Sequence, residues 1–271
     1  NGKTIIRNLK IKDDFSDIDM PLYMMSYSCA KDFGDYISKV KMDAEIKESV
    51  LDFRTLAFFA NALKNNDLRI SVSGSASGYV DDFMFRNIKA RSAAGGFSGW
   101  VDGRITGLPE IESTWLDGRI RNFNLTTDGI GRFVSVWMKE GKLDLSRFAK
   151  GYIFNLKGSA RGFLNDMKIY ADLSSMIGKA KADIRMGDVI SDNPIAQSGV
   201  LRTEDLDLGR VIGTDLIGPA TLRTGLDARL GKGAPQVELD SLIVVRLMLN
   251  GYDYSGIAAA GKLEERSFDG K

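Results

Sequence analysis

Few residues of this chain are suited to catalysis, because histidine is absent from all 271 positions. Its absence removes the commonest general base and the commonest metal ligand together. The run Gly74–Gly78, Gly-Ser-Ala-Ser-Gly, resembles the sharp turn that presents a nucleophilic serine, but Ala76 stands where that serine is required. We therefore predict no acyl-transfer centre.

The other reactive groups favour structural roles. The carboxylate pair Asp81-Asp82 could serve glycoside hydrolysis, yet we interpret it as part of a tight turn, where aspartate is favoured for backbone reasons. Gly129-Ile130-Gly131 lacks the third glycine of a dinucleotide-binding loop. Cys29 is the single cysteine, and we interpret it as a free thiol packed as a small hydrophobe. We predict that the chain is not an enzyme and binds no metal and no cofactor.

The composition favours a globular chain without a strong charge of either sign. Lys and Arg number 37 against 36 Asp and Glu, which leaves no overall field to attract nucleic acid or an acidic membrane surface. No apolar run reaches the roughly 18–20 residues of a membrane-spanning helix. The chain starts at Asn1 without an initiator Met or signal-peptide core and stops within a strand-like run. We predict a segment of a longer protein.

The elements that position these residues are organised by an internal repeat. Ile70–Phe85 returns in degenerate form as Phe154–Ile169. The identical positions are Gly74, Ser75, Ala76, Gly78 and Asp82 in the first copy, and Gly158, Ser159, Ala160, Gly162 and Asp166 in the second. Apolar or small residues alternate with polar ones in both copies, as in a half-buried strand. We predict a hairpin in each copy, with turns at Asp81-Asp82 and Asn165-Asp166.

Strand patterns fill most of the remaining chain. The predicted elements are strands at 4–11, 22–28 and 35–46, a helix capped by Asp52 and carrying Leu56, Phe59, Ala60 and Leu63, neighbouring strands at Trp100–Ile105 and Trp115–Ile120, a helical turn at Leu206–Ile212 capped by Asp207, and a hairpin turning at Asn250-Gly251. The predicted fold class is all-β and mainly antiparallel, a long meander curled into an open groove or partial barrel with one or two short capping helices. We predict a single elongated segment with repeat units of roughly 1–66, 67–150 and 151–271.

A long meander with one apolar face must bury that face, and two arrangements do so. The sheet can curl into a trough, or the face can pack against an opposite wall as a closed core. The candidate groove-lining residues are Ile70, Val72, Val80, Phe83, Phe85, Leu156, Leu164, Met167 and Ile169. In a trough, we expect the glycines on the same face, such as Gly74 and Gly158, to keep the lumen open.

The order of these motifs resembles the AsmA/TamB family of bacterial envelope proteins, in the form seen in large Bacteroidetes members. The motifs are the helical run Leu56–Leu63, then SGSASGYVDDFMFRNIKA, then Ile105–Pro109, Leu206–Gly209 and Leu249–Tyr254 leading to Gly261. The resemblance spans most of the chain and implies repeating β-groove units. It also implies a periplasmic location, tethered to the inner membrane by an N-terminal helix outside this segment.

Three functions from different classes follow from the pattern and the resemblance. The first is a groove that conducts phospholipid or another acyl-chain lipid between the inner and outer membrane. The second is an envelope scaffold or chaperone, of the translocation and assembly type, that offers a sheet edge to strands of an outer-membrane β-barrel protein. The third is an adhesive or polysaccharide-active β-protein, which predicts a polar cleft with clustered carboxylates that the sequence lacks. The resemblance favours the lipid groove.

Overall fold

The computed structural model shows an all-β chain whose strands are hydrogen-bonded in chain order, each antiparallel to its neighbour wherever the register is given. The residues it describes are 2–56, 68–93, 95–110, 113–126, 129, 153–163, 165–187, 195–229, 236–264 and 267–270. The predicted fold class, a mainly antiparallel meander with a few short helices, is confirmed. The chain divides into two compact units at 123/124. The predicted repeat units stay a prediction.

Unit 1 contains β1 to β6 and most of β7. These strands are β1 Gly2–Lys12, β2 Asp17–Tyr27, β3 Lys41–Asp52, β4 Arg69–Tyr79, β5 Asp82–Ser92, β6 Phe97–Thr106 and β7 Trp115–Thr126. Helix α1 (Tyr36–Lys39) follows a 3-10 turn at Ala30–Asp35, and helix α2 spans Phe53–Leu56. The predicted neighbours at 100–105 and 115–120 lie in the adjacent strands β6 and β7.

Unit 2 contains the remaining described strands and the short helix α3. The strands are β8 Ile153–Phe163, β9 Asp166–Ser175, β10 Gly178–Gly187, β11 Ile195–Asp207, β12 Ile217–Arg229, β13 Gln236–Leu249, β14 Tyr252–Glu264 and β15 Ser267–Gly270. Helix α3 spans Leu208–Ile212, and Asp207 caps it by accepting a hydrogen bond from the backbone N–H of Arg210 at 3.0 Å. Asn250 and Gly251 join β13 to β14, as predicted.

The repeated hairpins form, but their turns lie one residue earlier than predicted. Tyr79 pairs with Asp82, so the first turn is 80–81, and Phe163 pairs with Asp166, so Asp166 lies after the turn in the second copy as well. Asp82 and Asp166 are therefore the first residues of their second strands. The prediction placed both aspartates in the turn because it followed the preference of aspartate for turns and could not see what their carboxylates bind.

Two further predictions near β3 need correction. Residues 35–39 were expected to be strand, yet they end the 3-10 turn and form α1, and β3 starts only at Lys41. Cys29 is exposed rather than packed, and its Sγ lies 3.6 Å from an oxygen of Asp32. Asp52 does cap α2, because its Oδ1 accepts the backbone N–H of Arg54 at 3.0 Å. Phe59, Ala60 and Leu63 lie outside the described residues.

Left-handed backbone recurs inside several strands at one residue type, and at Asn87 and Asp205 it coincides with a bulge. Asn8, Asn87, Asn122 and Asp205 have φ between 44° and 55°. At Asn87 the register of β5 shifts against both of its neighbours, which makes Asn87 an extra residue in the strand. Asn and Asp tolerate this conformation better than other residues with a Cβ. The bulges increase local twist without ending the strands.

Candidate functional site: the apolar face of the sheet

In unit 1 the predicted groove residues of β4 and β5 share one face of the sheet. Residues that pair directly across two strands point to the same face. Phe85 pairs with Ala76 and Phe83 pairs with Gly78, which places both rings on the face of Ile70 and Val72. The bulge at Asn87 returns the next apolar positions of β5 to that face, because Ala90 pairs with Val72. Four predicted residues are thus brought together.

In unit 2 the second copy of the repeat builds an equivalent face. Leu156 pairs with Leu173, and Ile169 pairs with both Ala160 and Ile184. Met167 lies opposite Gly162 on one side and Met186 on the other. The face continues across later strands through pairs that the prediction did not include. These pairs are Ala182 with Leu201, Leu222 with Val244, Val244 with Ile257, and Ala220 with Leu247.

Two predicted residues do not join the strand faces in this way. Val80 lies in the β4–β5 turn, where its backbone N–H donates to the carbonyl of Ile37 at 3.0 Å, so it ties the hairpin tip to α1. Leu164, the residue at the matching place in the second copy, lies outside the described residues. The site prediction extended the strand alternation into the turn, and this error comes from the one-residue displacement of the turn itself.

The glycines of the repeat do not keep a lumen open, contrary to our expectation. A Cβ on Gly74 would lie 2.7 Å from the carbonyl oxygen of Asn87, and one on Gly158 would lie 2.5 Å from that of Tyr170. Gly78 and Gly162 face the carbonyls of Asp82 and Asp166 in the same manner, each with a positive φ. These glycines allow close approach of the neighbouring strand, which any side chain would prevent.

Other glycines make room for aromatic rings across a strand pair. The ring of Phe85 lies over Gly103, where a Cβ would meet its Cζ at 2.5 Å. Gly99 is covered in the same way by the ring of Phe123, which stacks on Phe97 with 5.5 Å between ring centroids. Phe97 and Phe123 are both buried. The aromatic rings therefore cover the backbone at glycines, which have no side chain to cover it themselves.

The opposite face of the sheet carries charge, arranged as ion pairs between neighbouring strands. In unit 2, Lys181 pairs with Asp172 at 3.2 Å and Lys168 with Asp183 at 3.7 Å. In unit 1, Arg91 pairs with Glu48 at 3.0 Å. The sheet is thus amphipathic in each unit, with one apolar and one charged face.

The repeated aspartates bind an arginine on the following strand. Arg104 makes two hydrogen bonds to Asp82, at 2.6 and 2.5 Å, and Arg185 makes two to Asp166, both at 2.6 Å. These hydrogen bonds hold the pKa of both carboxyl groups below its usual value. Ion pairing to the next strand therefore explains why an aspartate recurs at this place in the repeat.

The apolar face is only partly covered. Of the eight described lining residues, Met167 alone is fully buried, at 3% exposure, and the other seven are half-buried. In the described part of the chain, the main contacts are between neighbouring strands and between strand ends and the short helices. A closed core would bury such residues almost completely. The partial exposure favours an open face in each unit over the closed core.

The described residues contain no other group that indicates chemistry. They include no cluster of three His, Cys, Asp or Glu residues that could hold a metal ion. Within the same ranges, every buried side-chain nitrogen and oxygen has a hydrogen-bond partner. None of the helices in the described ranges has the length and apolar character of a membrane span.

Sequence reasoning missed the bulge residues, although a signal for them is present. Arg-Asn followed by an apolar residue occurs at 7–9, 86–88 and 121–123, and each of these asparagines has a positive φ. Two bulges face a glycine on the preceding strand: Gly74 contacts Asn87, and Gly178 contacts Asp205. An alternating pattern interrupted by Arg-Asn therefore marks left-handed backbone inside a strand, and at Asn87 this is a bulge opposite a glycine.

No protein-family model, no curated protein and no solved structure matches this chain.

Proposed function

We propose that this chain is part of a non-enzymatic cell-envelope protein of the AsmA/TamB type, and that its apolar face carries the acyl chains of phospholipid between the inner and outer membrane. The observation that carries the proposal is the half-buried apolar face, which is formed by successive hairpins and opposed by a charged face. An acyl chain needs a continuous apolar surface and no specific polar partner. The location in the periplasm belongs to the same proposal.

The chemistry of the lining supports a lipid better than a polar ligand. Ile70, Val72, Phe85 and Leu156 offer methyl groups and rings, and an acyl chain gains roughly 0.8 kcal/mol for each CH₂ that it buries against such groups. A carbohydrate would need polar partners on the same face. The second candidate, a scaffold that captures strands of an outer-membrane barrel, would use a sheet edge instead of this face.

The test is native mass spectrometry of the gently purified chain followed by lipid extraction. We expect bound phospholipid in the native chain and its loss in the double variant Val72→Asp/Leu156→Asp, because a buried carboxylate disfavours an acyl chain. The matched control is Ser73→Asp/Ser159→Asp, which adds the same charges one residue beyond Val72 and three residues beyond Leu156, in the same strands and on the opposite face. Ser73 pairs with Lys89 and Ser159 with Tyr170.

Two results would refute the lipid proposal. One is a lipid-free native chain that also fails to take up added phospholipid. The other is equal lipid loss in the control variant, since this would show that added charge acts on folding and not on the apolar face. Circular dichroism of all three proteins separates these cases from simple unfolding.

A further inference from the structure

The charged face of unit 2 contains a row of cations that runs across five strands. Lys157 on β8 pairs with Asp172 on β9, and Asp172 pairs with Lys181 on β10. Lys181 then pairs with Arg202 on β11, and Arg202 with Arg223 on β12. We call Lys157, Lys181, Arg202 and Arg223 the cationic row. Because strands lie about 4.8 Å apart, its positions span roughly 19 Å.

Most of this row is not neutralised. Asp172 lies 3.2 Å from Lys181, and the nearby acids Asp183 and Glu204 pair with Lys168 and Lys179. Among the described residues, no ion pair or hydrogen bond satisfies the side chains of Lys157, Arg202 or Arg223. The balanced charge of the whole chain therefore conceals a local excess of positive charge.

The direct pairing of Arg202 with Arg223 does not stabilise the fold. Like charges directly opposite on neighbouring strands destabilise the pairing. Two other cations of β10 each form an ion pair with an acid: Lys179 with Glu204 at 3.1 Å, and Arg185 with Asp166. Arg202 and Arg223 are both exposed and face one another without an acid between them.

Exposed aliphatic side chains continue the row. Arg223 pairs with Ile243 on β13, which is 50% exposed, and the nearby Val245 is 60% exposed. Both residues lie in the interior of the sheet, between β12 and β14. Aliphatic groups beside Arg and Lys are typical of segments that lie on a bilayer, with the cations at the headgroups and the apolar groups in the interface.

We propose that the cationic row, with Ile243 and Val245, binds the surface of a bilayer that contains anionic phospholipid. Charge complementarity selects the phosphate-rich surface, and a row of four exposed cations matches an extended surface better than it matches a small enclosed anion. The exposed aliphatic residues favour lipid over an acidic protein. The proposal concerns the face opposite the apolar face and does not depend on lipid transport.

The test is co-sedimentation of the full chain with vesicles of phosphatidylglycerol and phosphatidylcholine, compared with vesicles of phosphatidylcholine alone. We expect binding to the anionic vesicles only, weakened by salt. Arg202→Gln/Arg223→Gln should bind about thirtyfold more weakly, from the usual contribution of two basic residues near an anionic surface. Lys10→Gln/Lys31→Gln removes the same charge from exposed positions of unit 1 and should bind like the native chain.

A second variant distinguishes loss of vesicle binding from misfolding. Arg202→Glu places an acid opposite Arg223, so it should raise the midpoint of urea unfolding while it abolishes vesicle binding.

Two outcomes would overturn the proposal. They are unchanged binding in Arg202→Gln/Arg223→Gln, and binding to polyglutamate that equals vesicle binding and survives Ile243→Ser/Val245→Ser. The last outcome would assign the row to an acidic protein.

Discussion

At the scale of single residues, backbone conformation explains more of this chain than side-chain chemistry does. Asn87 illustrates the point: its φ is 51°, its N–H donates to Asp102 at 2.7 Å, and its Oδ1 accepts from Arg121 at 2.9 Å. Asp102 and Arg121 also pair with each other at 2.7 Å. One bulge residue is thus held by side chains from the next two strands, and Gly74 faces it from the preceding one.

The conformation of Asn87 can be separated from its side-chain contacts by two substitutions. Asn87→Gly and Asn87→Val both remove the hydrogen bond to Arg121, but only glycine adopts the left-handed backbone freely. We expect Asn87→Val to lower the free energy of unfolding by about 1–2 kcal/mol more than Asn87→Gly does. Urea denaturation measures the difference. Equal losses in the two variants would mean that the side chain, and not the backbone, selects asparagine here.

At the scale of elements, Asp52 joins the start of α2 to the β1–β2 turn, through its carboxylate on one side and its backbone N–H on the other. The side chain of Asp52 is fully buried and receives Nε and Nη2 of Arg54 at 2.9 and 2.7 Å. Its backbone N–H donates to Ser16 Oγ, which lies 2.6 Å from Thr55 Oγ1. Hydrogen bonds from the Arg54 side chain hold the pKa of Asp52 below its usual 3.8.

This depressed pKa predicts how stability depends on acidity. A carboxyl group whose pKa is lower in the folded chain contributes stability above its unfolded pKa and loses it as the pH falls through the folded pKa. We therefore expect the native chain to lose stability as the pH drops below about 4. Asp52→Asn should cost about 1–3 kcal/mol at neutral pH and reduce this loss.

Urea midpoints measured between neutral and acid pH for both proteins test the assignment. The control is Asp14→Asn, which changes an exposed carboxyl in the neighbouring turn. Parallel pH profiles for the native chain and Asp52→Asn would contradict a role for Asp52 in acid unfolding.

The elements also show what a sequence can reveal. Alternation over ten or more residues fixes the strands and their apolar face, and Asn250-Gly251 fixes a turn, because these signals are local. The predicted position of the turn before Asp82 was wrong because the carboxylate of Asp82 binds Arg104, a partner 22 residues away. The strand expected at 35–39 contains α1, where the carbonyl of Ile37 accepts a hydrogen bond from the backbone N–H of Val80 in another hairpin tip. Contacts between residues far apart in the chain produce no periodic pattern in the sequence.

At the scale of the whole molecule, both units present the same division between an apolar and a charged face. The apolar residues Val72 and Leu156 stay half-buried, while the other face carries charged residues, including ion pairs such as Lys181–Asp172. Soluble proteins rarely leave a large contiguous apolar surface without a ligand or partner. A bound acyl chain would complete the burial that the fold leaves unfinished.

The last prediction follows from that unfinished burial. A ligand that binds only the folded chain raises its stability by an amount that grows with ligand concentration, about 2.7 kcal/mol at a hundred times the dissociation constant. We expect lysophosphatidylcholine to raise the thermal unfolding midpoint of the native chain, and glycerophosphocholine, which has the same headgroup and no acyl chain, to leave it unchanged. Val72→Asp/Leu156→Asp should lose the response, and Ser73→Asp/Ser159→Asp should keep it. An equal shift with glycerophosphocholine would show that headgroup contacts, and not the apolar face, bind the ligand.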